Sequence, residues 1–407
     1  MKLSEDKIIA YFQPILSADS HTIYAYEVLG RVVDDDGTVN SLGPFFSNAD
    51  TTDEKALRID RIVRRNAMKK YVEEKRNECL FINIRLAWLA PYADKPEKLL
   101  PTIRWGREFG IAPDRFVIEI TEEEFNTREA HIDVITCYKK AGYRIALDDY
   151  GKNASNIDRL ALLRPDIIKI NMDYIHKSEE SHHYREYLKS LAAFAETVGI
   201  EVLYEGIDTQ RQLDICMSSK GRFYQGFLIA PPQASMRGAV VNQPVFSASV
   251  ENTYKALRSK IINADALKKS LDSKLERFLL ENRFCCERVD IDAYLTKLCH
   301  ELPEVRRIYL CNRRGDQITY NFERHLDDVT FCDYRNKNWA WRGYFHDALE
   351  AFIAGRKSCL STAYLDFTTK KHILTYSYML ADDVFLFVDI DRPAPPSPAQ
   401  PWPAAER

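Results

Sequence analysis

The sequence predicts an α/β protein whose larger part is a (β/α)8-type barrel, joined through a long helix to a small α+β domain. Three observations carry that prediction. Short β-rich segments alternate with longer amphipathic ones from residue 8 to about 230. Apolar residues at spacings of three and four run through 250–282, and from about 290 to 390 the pattern turns to short strands and tight turns.

In chain order, strands are predicted at 8–16, 22–30, 79–84, 115–120, 143–148, 166–170, 200–205 and 224–229. Helical periodicity occupies 53–77, 94–110, 126–141, 174–198 and 208–218. Eight strands with intervening helices fit a closed barrel, and a doubly wound open sheet is the main competitor. After Pro231-Pro232, the residues Leu257, Ile261, Ala264, Leu267, Leu271, Leu275 and Phe278 form one stripe of a long helix. Such a stripe either packs on its parent domain or pairs with a second subunit as a homodimer. Beyond it, VRRIYLCNRRGDQITY places Gly315 in a turn, and KKHILTYSYMLADDVFLFVDI reads as two strands joined at Asp382-Asp383. NWAWRGYFHDALEAFIAG supplies a helix between them. The resulting boundaries are 1–248 for the barrel, 249–285 for the linking helix, 286–392 for the small domain and 393–407 for a disordered tail holding six prolines.

The 407 residues carry 57 Lys+Arg against 60 Asp+Glu, a formal net charge of −3. Without clustered Lys/Arg the chain is no bulk nucleic-acid binder, because phosphate-backbone affinity comes from counterion release. An anionic ligand has to be met locally. Nine scattered cysteines with no CxxC pair read as free thiols rather than a disulfide framework. The start shows no basic segment leading into an apolar one, and no stretch approaches ~18 uncharged apolar residues. The expectation is a cytoplasmic protein with no membrane span.

Acidic residues fall where the barrel strands end. Phe116-Val117-Ile118 runs into Glu119, Ile145-Ala146-Leu147 into Asp148-Asp149, and Val202-Leu203-Tyr204 into Glu205. Asn83 and Lys169 occupy equivalent ends, and Glu27 lies near the end of the second strand. Strand C-termini of a parallel barrel converge on one rim, so these groups crowd together. Each acid alone is commonly a helix cap or loop acceptor. Jointly they need counter-charge, because a like charge nearby raises a carboxylate pKa. An all-oxygen set of Glu27, Asn83, Glu119, Asp148 and Asp149 favours Mg2+ or Mn2+ over Zn2+, and paired ions suit phosphodiester cleavage.

At this point the sequence resembles the EAL domains that hydrolyse cyclic di-GMP. The signature glutamate lies in Tyr26-Glu27-Val28-Leu29-Gly30-Arg31, with valine in place of the usual alanine, preceded by Phe12-Gln13-Pro14-Ile15. The likeness continues through Asn83, Glu119-Ile120-Thr121-Glu122, Asp148-Asp149-Tyr150-Gly151, Lys169-Ile170-Asn171, Glu205-Gly206-Ile207-Asp208 and Gln225-Gly226-Phe227. It covers residues 8 to 232 in order. The resemblance implies a TIM-like barrel with one antiparallel strand, holding cyclic di-GMP and two Mg2+ or Mn2+ ions at its rim. By position, Glu27, Asn83, Glu119 and Asp148 resemble ligands of one ion, with Asp148 bridging to a second that Asp149 and Glu205 surround. Lys169 resembles the group that holds the attacking water or the phosphate, with Gln225 beside that water. Gln13, Leu29 and Arg31 resemble contacts to the dinucleotide. Lys169, Glu205, Glu27 and Gln225 are the catalytic candidates. In-line attack would open the ring to linear pGpG.

Two departures bear on turnover. After Asp149, Lys152-Asn153-Ala154 replaces the family's small residues and glycine in a loop that Glu122 anchors. Asn171 stands where the family has an aspartate, which removes a carboxylate that serves metal binding or the orientation of Lys169. Two functions therefore stay open: a phosphodiesterase, or a receptor that binds cyclic di-GMP without efficient turnover. A glycosidase using paired carboxylates is the third and weakest. Through Gly315-Asp316-Gln317, Asn338-Trp339-Ala340-Trp341-Arg342, Tyr344-Phe345 and Tyr364-Leu365-Asp366, residues 250–390 resemble the C-terminal part of YkuI-type EAL proteins, a PAS- or Cache-like sensor. Arg342, Tyr344 and Asp366 are candidates there for an unidentified small ligand, or else part of an aromatic core with an Arg–Asp pair. No GGDEF motif is present.

Overall fold

The computed structural model describes residues 4–48, 50–89, 100–121, 129–151, 157–282, 284, 290–325 and 328–391. The chain divides into two compact units, Met1–Ala256 and Leu257–Arg407.

In the first unit, strands β1 (Ile8–Ser17) and β2 (Ile23–Val33) form an antiparallel pair, and β3 (Val39–Ser41) adds a short flap to the outer end of β2. The remaining strands are β4 (Cys79–Asn83), β5 (Phe116–Thr121), β6 (Arg144–Tyr150), β7 (Ile167–Ile170), β8 (Glu201–Tyr204) and β9 (Phe223–Tyr224). Their order is β1-β9-β8-β7-β6-β5-β4-β2, and β1 also pairs with β2, which closes an eight-stranded ring. Only β1 runs against its neighbours in that ring. The predicted TIM-like barrel with one antiparallel strand is the observed architecture, and the open-sheet alternative is excluded.

The period-two alternation of the strands divides their side chains between two cores. Ile15, Ala25, Phe81, Val117, Ala146, Ile167, Leu203 and Phe223 fill the barrel interior. Their neighbours along the strands, such as Leu80, Ile82, Phe116, Ile118 and Ile168, point outward against the helices.

The helices differ from expectation mainly at their ends. The helix Asp53–Glu73 starts where the Thr52 side chain accepts from the Lys55 N–H, and it stops before Lys75, which takes a left-handed φ of 52°. Pro101–Phe109 has proline at its first turn and ends on Gly110 in the left-handed conformation. The single helix expected over 174–198 is two, Met172–Glu180 and His182–Val198, broken by Ser181 in an extended conformation. Both halves are amphipathic, so periodicity alone did not reveal the break.

The long helix runs Gln243–Glu281, six residues earlier at its start than the predicted 249–285. Its first turns belong to the first unit, where Phe246 is fully buried and Ser249 donates to Asp214. Its last turns belong to the second unit, where Leu271, Leu275 and Phe278 are buried. Between them Tyr254, Leu257 and Ile261 are more than half exposed, at 59%, 56% and 60%.

The second unit is built on an antiparallel sheet of β10 (Val305–Asn312), β11 (Asn321–His325), β12 (Asp328–Cys332), β13 (Ser358–Leu360), β14 (Tyr364–Leu365), β15 (His372–Ala381) and β16 (Val384–Asp391). Its order is β12-β11-β10-β16-β15-β13, with β14 on β15. Alternation again sorts the two faces. Ile308, Leu310, Leu386 and Val388 pack with the helix Ile291–Glu301 and the end of the long helix, while Tyr309, Cys311, Phe385 and Phe387 pack under the helix Gly343–Ile353. Among the described residues, no helix is long and apolar enough to cross a membrane.

Candidate active site

Two residues along each strand from an interior apolar side chain stands a polar one. Glu27 follows Ala25, Asn83 follows Phe81, Glu119 follows Val117, and Asp148 follows Ala146. Lys169 follows Ile167, Glu205 follows Leu203, and Gln225 follows Phe223. On the antiparallel strand the offset reverses, so Gln13 precedes Ile15 and sits opposite Glu27. The alternation that packs the barrel thus delivers eight polar groups to one inward-facing layer.

Lys169 is the hub of that layer. Its ammonium, in a side chain only 1% exposed, lies 2.7 Å from Glu119 Oε1, 3.0 Å from Asp148 Oδ1, 3.2 Å from Glu205 Oε2 and 3.7 Å from Glu27 Oε1. Burial opposes its charge, but these four carboxylates outweigh burial and hold the ammonium pKa well above its usual value. Burial also pushes Glu119 and Asp148 up, against the pull of Lys169, and raises Glu205 to about 8. Were all four to ionise, their charge would exceed what one lysine can balance.

Hydrogen bonds fix the outer members. Gln225 Nε2 donates to Glu27 Oε2 at 2.6 Å and to Gln13 Oε1 at 3.1 Å, and Gln13 in turn donates to the Ala230 carbonyl. Asn83 donates to Glu27 Oε1 at 3.3 Å. Gly226, directly after Gln225, is required for close approach: a Cβ there would stand 2.1 Å from the Ile207 carbonyl oxygen. Asp149 has a positive φ of 56°, and Asn171 Nδ2 donates to its Oδ1 at 2.5 Å. Loss of the carboxylate at 171 has not freed Lys169, which stays fixed by four others.

Beside this layer lies a cavity of about 300 Å3, with Leu29, Arg31, Asn83, Arg85, Trp88 and Glu119 among its walls. Arg31 donates to the Gly30 carbonyl and lies 5.5 Å above the Tyr11 ring. Sequence reasoning missed Tyr11. Its signal is register, because Leu29 opposes Tyr11 across the β1–β2 pair, which makes Arg31 its diagonal neighbour. Glu122 and Lys152-Asn153-Ala154 lie outside the described residues.

The donor set suits a hard divalent cation, being all oxygen and over-supplied with negative charge. Glu119 Oε1 and Asp148 Oδ1 face the Lys169 ammonium, whereas among the described residues no hydrogen-bond donor meets the buried Glu119 Oε2. Such an acceptor is what a cation satisfies. The carboxylates are drawn onto Lys169, and among the described residues no three acidic, histidine or cysteine side chains form a ready-made metal cage.

In the second unit the expected trio is divided. Arg342 lies over the rings of Phe367, Tyr364, Trp341 and Tyr344 at 4.6–5.6 Å. Tyr344 is buried and accepts from the Tyr309 hydroxyl. Asp366 accepts from Thr369 and faces Arg307 at 3.8 Å, so the Arg–Asp pairing of this region involves Arg307.

A closed barrel with one antiparallel strand and an inward layer of carboxylates, lysine and glutamine defines the class, and the chain belongs to the EAL-domain family. Residues 1–232 match the EAL domain, and residues 251–393 match an EAL-domain associated signalling protein domain. The chain is 32% identical to the EAL-domain containing protein YkuI of Bacillus subtilis over 95% of its own length and 94% of that protein's. A crystal structure of YkuI in complex with cyclic di-GMP and calcium superposes with a TM-score of 0.86 at 30% identity, covering 96% of this chain and 97% of that one. The probable cyclic di-GMP phosphodiesterase PdeB of Escherichia coli is 27% identical over 54% of this chain, which spans only 42% of PdeB.

Proposed function

We propose that the barrel binds cyclic di-GMP and hydrolyses it to linear 5′-pGpG with Mg2+ or Mn2+. The observation that carries this reading is the gathering of four acidic side chains around the buried Lys169, with Glu119 Oε2 left without a donor among the described residues. Glu27, Asn83, Glu119 and Asp148 would hold one ion, and Asp148, Asp149 and Glu205 the other. Bound there, the ions supply charge neutralisation for the phosphodiester and acidify the attacking water.

The chain's own residues do the rest. Lys169 offers N–H donors to a phosphate oxygen or to the water. Gln225 keeps Glu27 oriented and presents its amide toward Gln13. Arg31 brings a guanidinium to the cavity wall, where it meets the charge of a phosphate that a net-acidic chain must balance locally. Leu29 gives the sugar or base an apolar contact. We assign the second unit a sensory role that biases this site.

A receptor that binds the dinucleotide without efficient turnover is the second reading, favoured by Lys152-Asn153-Ala154 and Asn171 at positions where the family carries other residues. Chromatography of cyclic di-GMP incubated with the protein and Mg2+ or Mn2+, beside Glu27→Ala, separates the two. Linear pGpG from the wild type alone supports hydrolysis. Intact cyclic dinucleotide with saturable binding supports the receptor, and product from both proteins sinks the assignment of Glu27.

A further inference from the structure

Asp149 occupies an unusual place in the layer. Along a regular strand, Asp148 and Asp149 would point to opposite faces. The β6–β7 ladder is interrupted between Leu147 and Tyr150, and Asp149 takes a left-handed φ of 56° there. The interruption takes Asp149 out of strict alternation, in a backbone conformation that L side chains seldom adopt, and its carboxylate lies at the end of β7.

Asn171, 7% exposed, meets that carboxylate from the end of β7. Its Oδ1 accepts from the Asp173 N–H at 2.9 Å and caps the helix Met172–Glu180. The orientation of the amide is not free, because a backbone N–H only donates and so requires the oxygen on that side. The Nδ2 is left to face Asp149 Oδ1, to which it donates at 2.5 Å. An aspartate at 171 would keep the cap but set a second negative charge against Asp149. A serine would keep the cap and leave Asp149 without the donor. Of these three capping residues, asparagine alone does both jobs.

We propose that Asn171 is a positioning residue for the metal centre: by fastening its side chain between the start of the helix and Asp149, it holds Asp149 in the left-handed conformation that turns its carboxylate toward the second ion. This rests on the reading of Asp149 as a metal ligand. It also reverses the meaning of the residue, from a lost carboxylate to the support of a neighbouring one.

The test is Mn2+ titration of the full chain, following free Mn2+ by its electron paramagnetic resonance signal, with thermal melting of the same samples. The expected result is two ions on the wild type. Asn171→Ser, which keeps a capping oxygen, should melt with the wild type and weaken the lower-affinity ion about tenfold, the size of effect that supporting hydrogen bonds have at metal sites. Asp149→Ala should weaken the same ion, and adding Asn171→Ser to it should cost nothing further. Equal Mn2+ affinity of Asn171→Ser and wild type overturns the proposal, as does a full additional loss in the Asp149→Ala background. A wild type that binds no Mn2+ overturns the metal-centre reading itself.

Discussion

Lys169 Nζ lies 2.7 Å from Glu119 Oε1 in the middle of the barrel, and each residue is only 1% exposed. The pair is one arm of a four-armed ionic cross that also reaches Asp148, Glu205 and Glu27. In the metal-free protein the lysine is the internal cation of the site. Lys169→Met should therefore destabilise the metal-free protein by about 3–5 kcal/mol, the usual cost of leaving a buried charge without its partner. Mg2+ or Mn2+ should recover much of the loss. Urea midpoints with and without metal check this, and a variant as stable as the wild type in the absence of metal refutes it.

The pH dependence of metal binding follows from Glu205, whose carboxyl is raised to about 8 by burial against the pull of Lys169. Below that pH a proton occupies the group, and a cation has to displace it. Affinity for Mn2+ should rise from pH 6 to about 8 and then level off. The stability of the metal-free protein runs the other way. A carboxyl whose folded pKa is raised contributes stability that is complete below its unfolded value and is lost as pH climbs through the folded one. Calorimetry in two buffers of different ionisation enthalpy reads the released proton, and binding independent of pH would contradict the assignment.

These inward acids were legible in the sequence because the rule that places them is short-ranged. Glu119 and Glu205 each stand two positions beyond an interior apolar residue, and period-two alternation is local arithmetic. Closure of the ring depends instead on β9 finding β1, about two hundred residues apart, for which no local pattern exists. The same limit explains the misplaced partner of Asp366. The resemblance to Cache-like domains grouped it with Arg342, whereas Arg307 reaches it from another strand of the sheet. Asn171 was visible as a departure, but its two-sided hydrogen bonding needs coordinates.

Gln225→Ala removes the donor that Glu27 Oε2 and Gln13 share. Metal affinity should fall about 10–100-fold, as when outer partners of metal ligands are lost. The fold should lose only about 1 kcal/mol. Isothermal titration with Mn2+ alongside thermal melting separates these effects, and unchanged affinity would mean that Glu27 is oriented without Gln225.

Gly226→Ala tests the adjoining backbone. The added methyl would lie within 2.5 Å of three backbone atoms of Ile207. Since backbone yields less readily than a side-chain tip, a loss on the order of 3 kcal/mol is expected. Chemical denaturation measures it, and a loss below 1 kcal/mol would show that the segment can part from Ile207.

In the second unit, Arg307 pairs with Asp389 at 3.2 Å and Glu323 at 2.9 Å, and burial raises Asp389 to about 6. Arg307→Leu should strand Asp389, at a cost of about 3–5 kcal/mol at pH 8. The cost should shrink at pH 5, where the carboxyl is protonated. Hydrogen exchange of peptides from β15 and β16 localises the change, and a loss of equal size at both pH values would contradict it.

The hydrogen bond from Gln225 to Gln13 spans 212 positions of the chain. A ribosome delivers Gln13 before the other strands of the ring and Gln225 only after them, so a growing chain holds its acids on an incomplete sheet until the last strand arrives. Until then the edges of β1 and β8 remain open to strands from other molecules, the hazard that unpaired edges carry. Chains released short of residue 225 are therefore expected to associate rather than to fold into a weakened barrel. Completion of the ring and assembly of the layer around Lys169 are one event, and translation sets its timing.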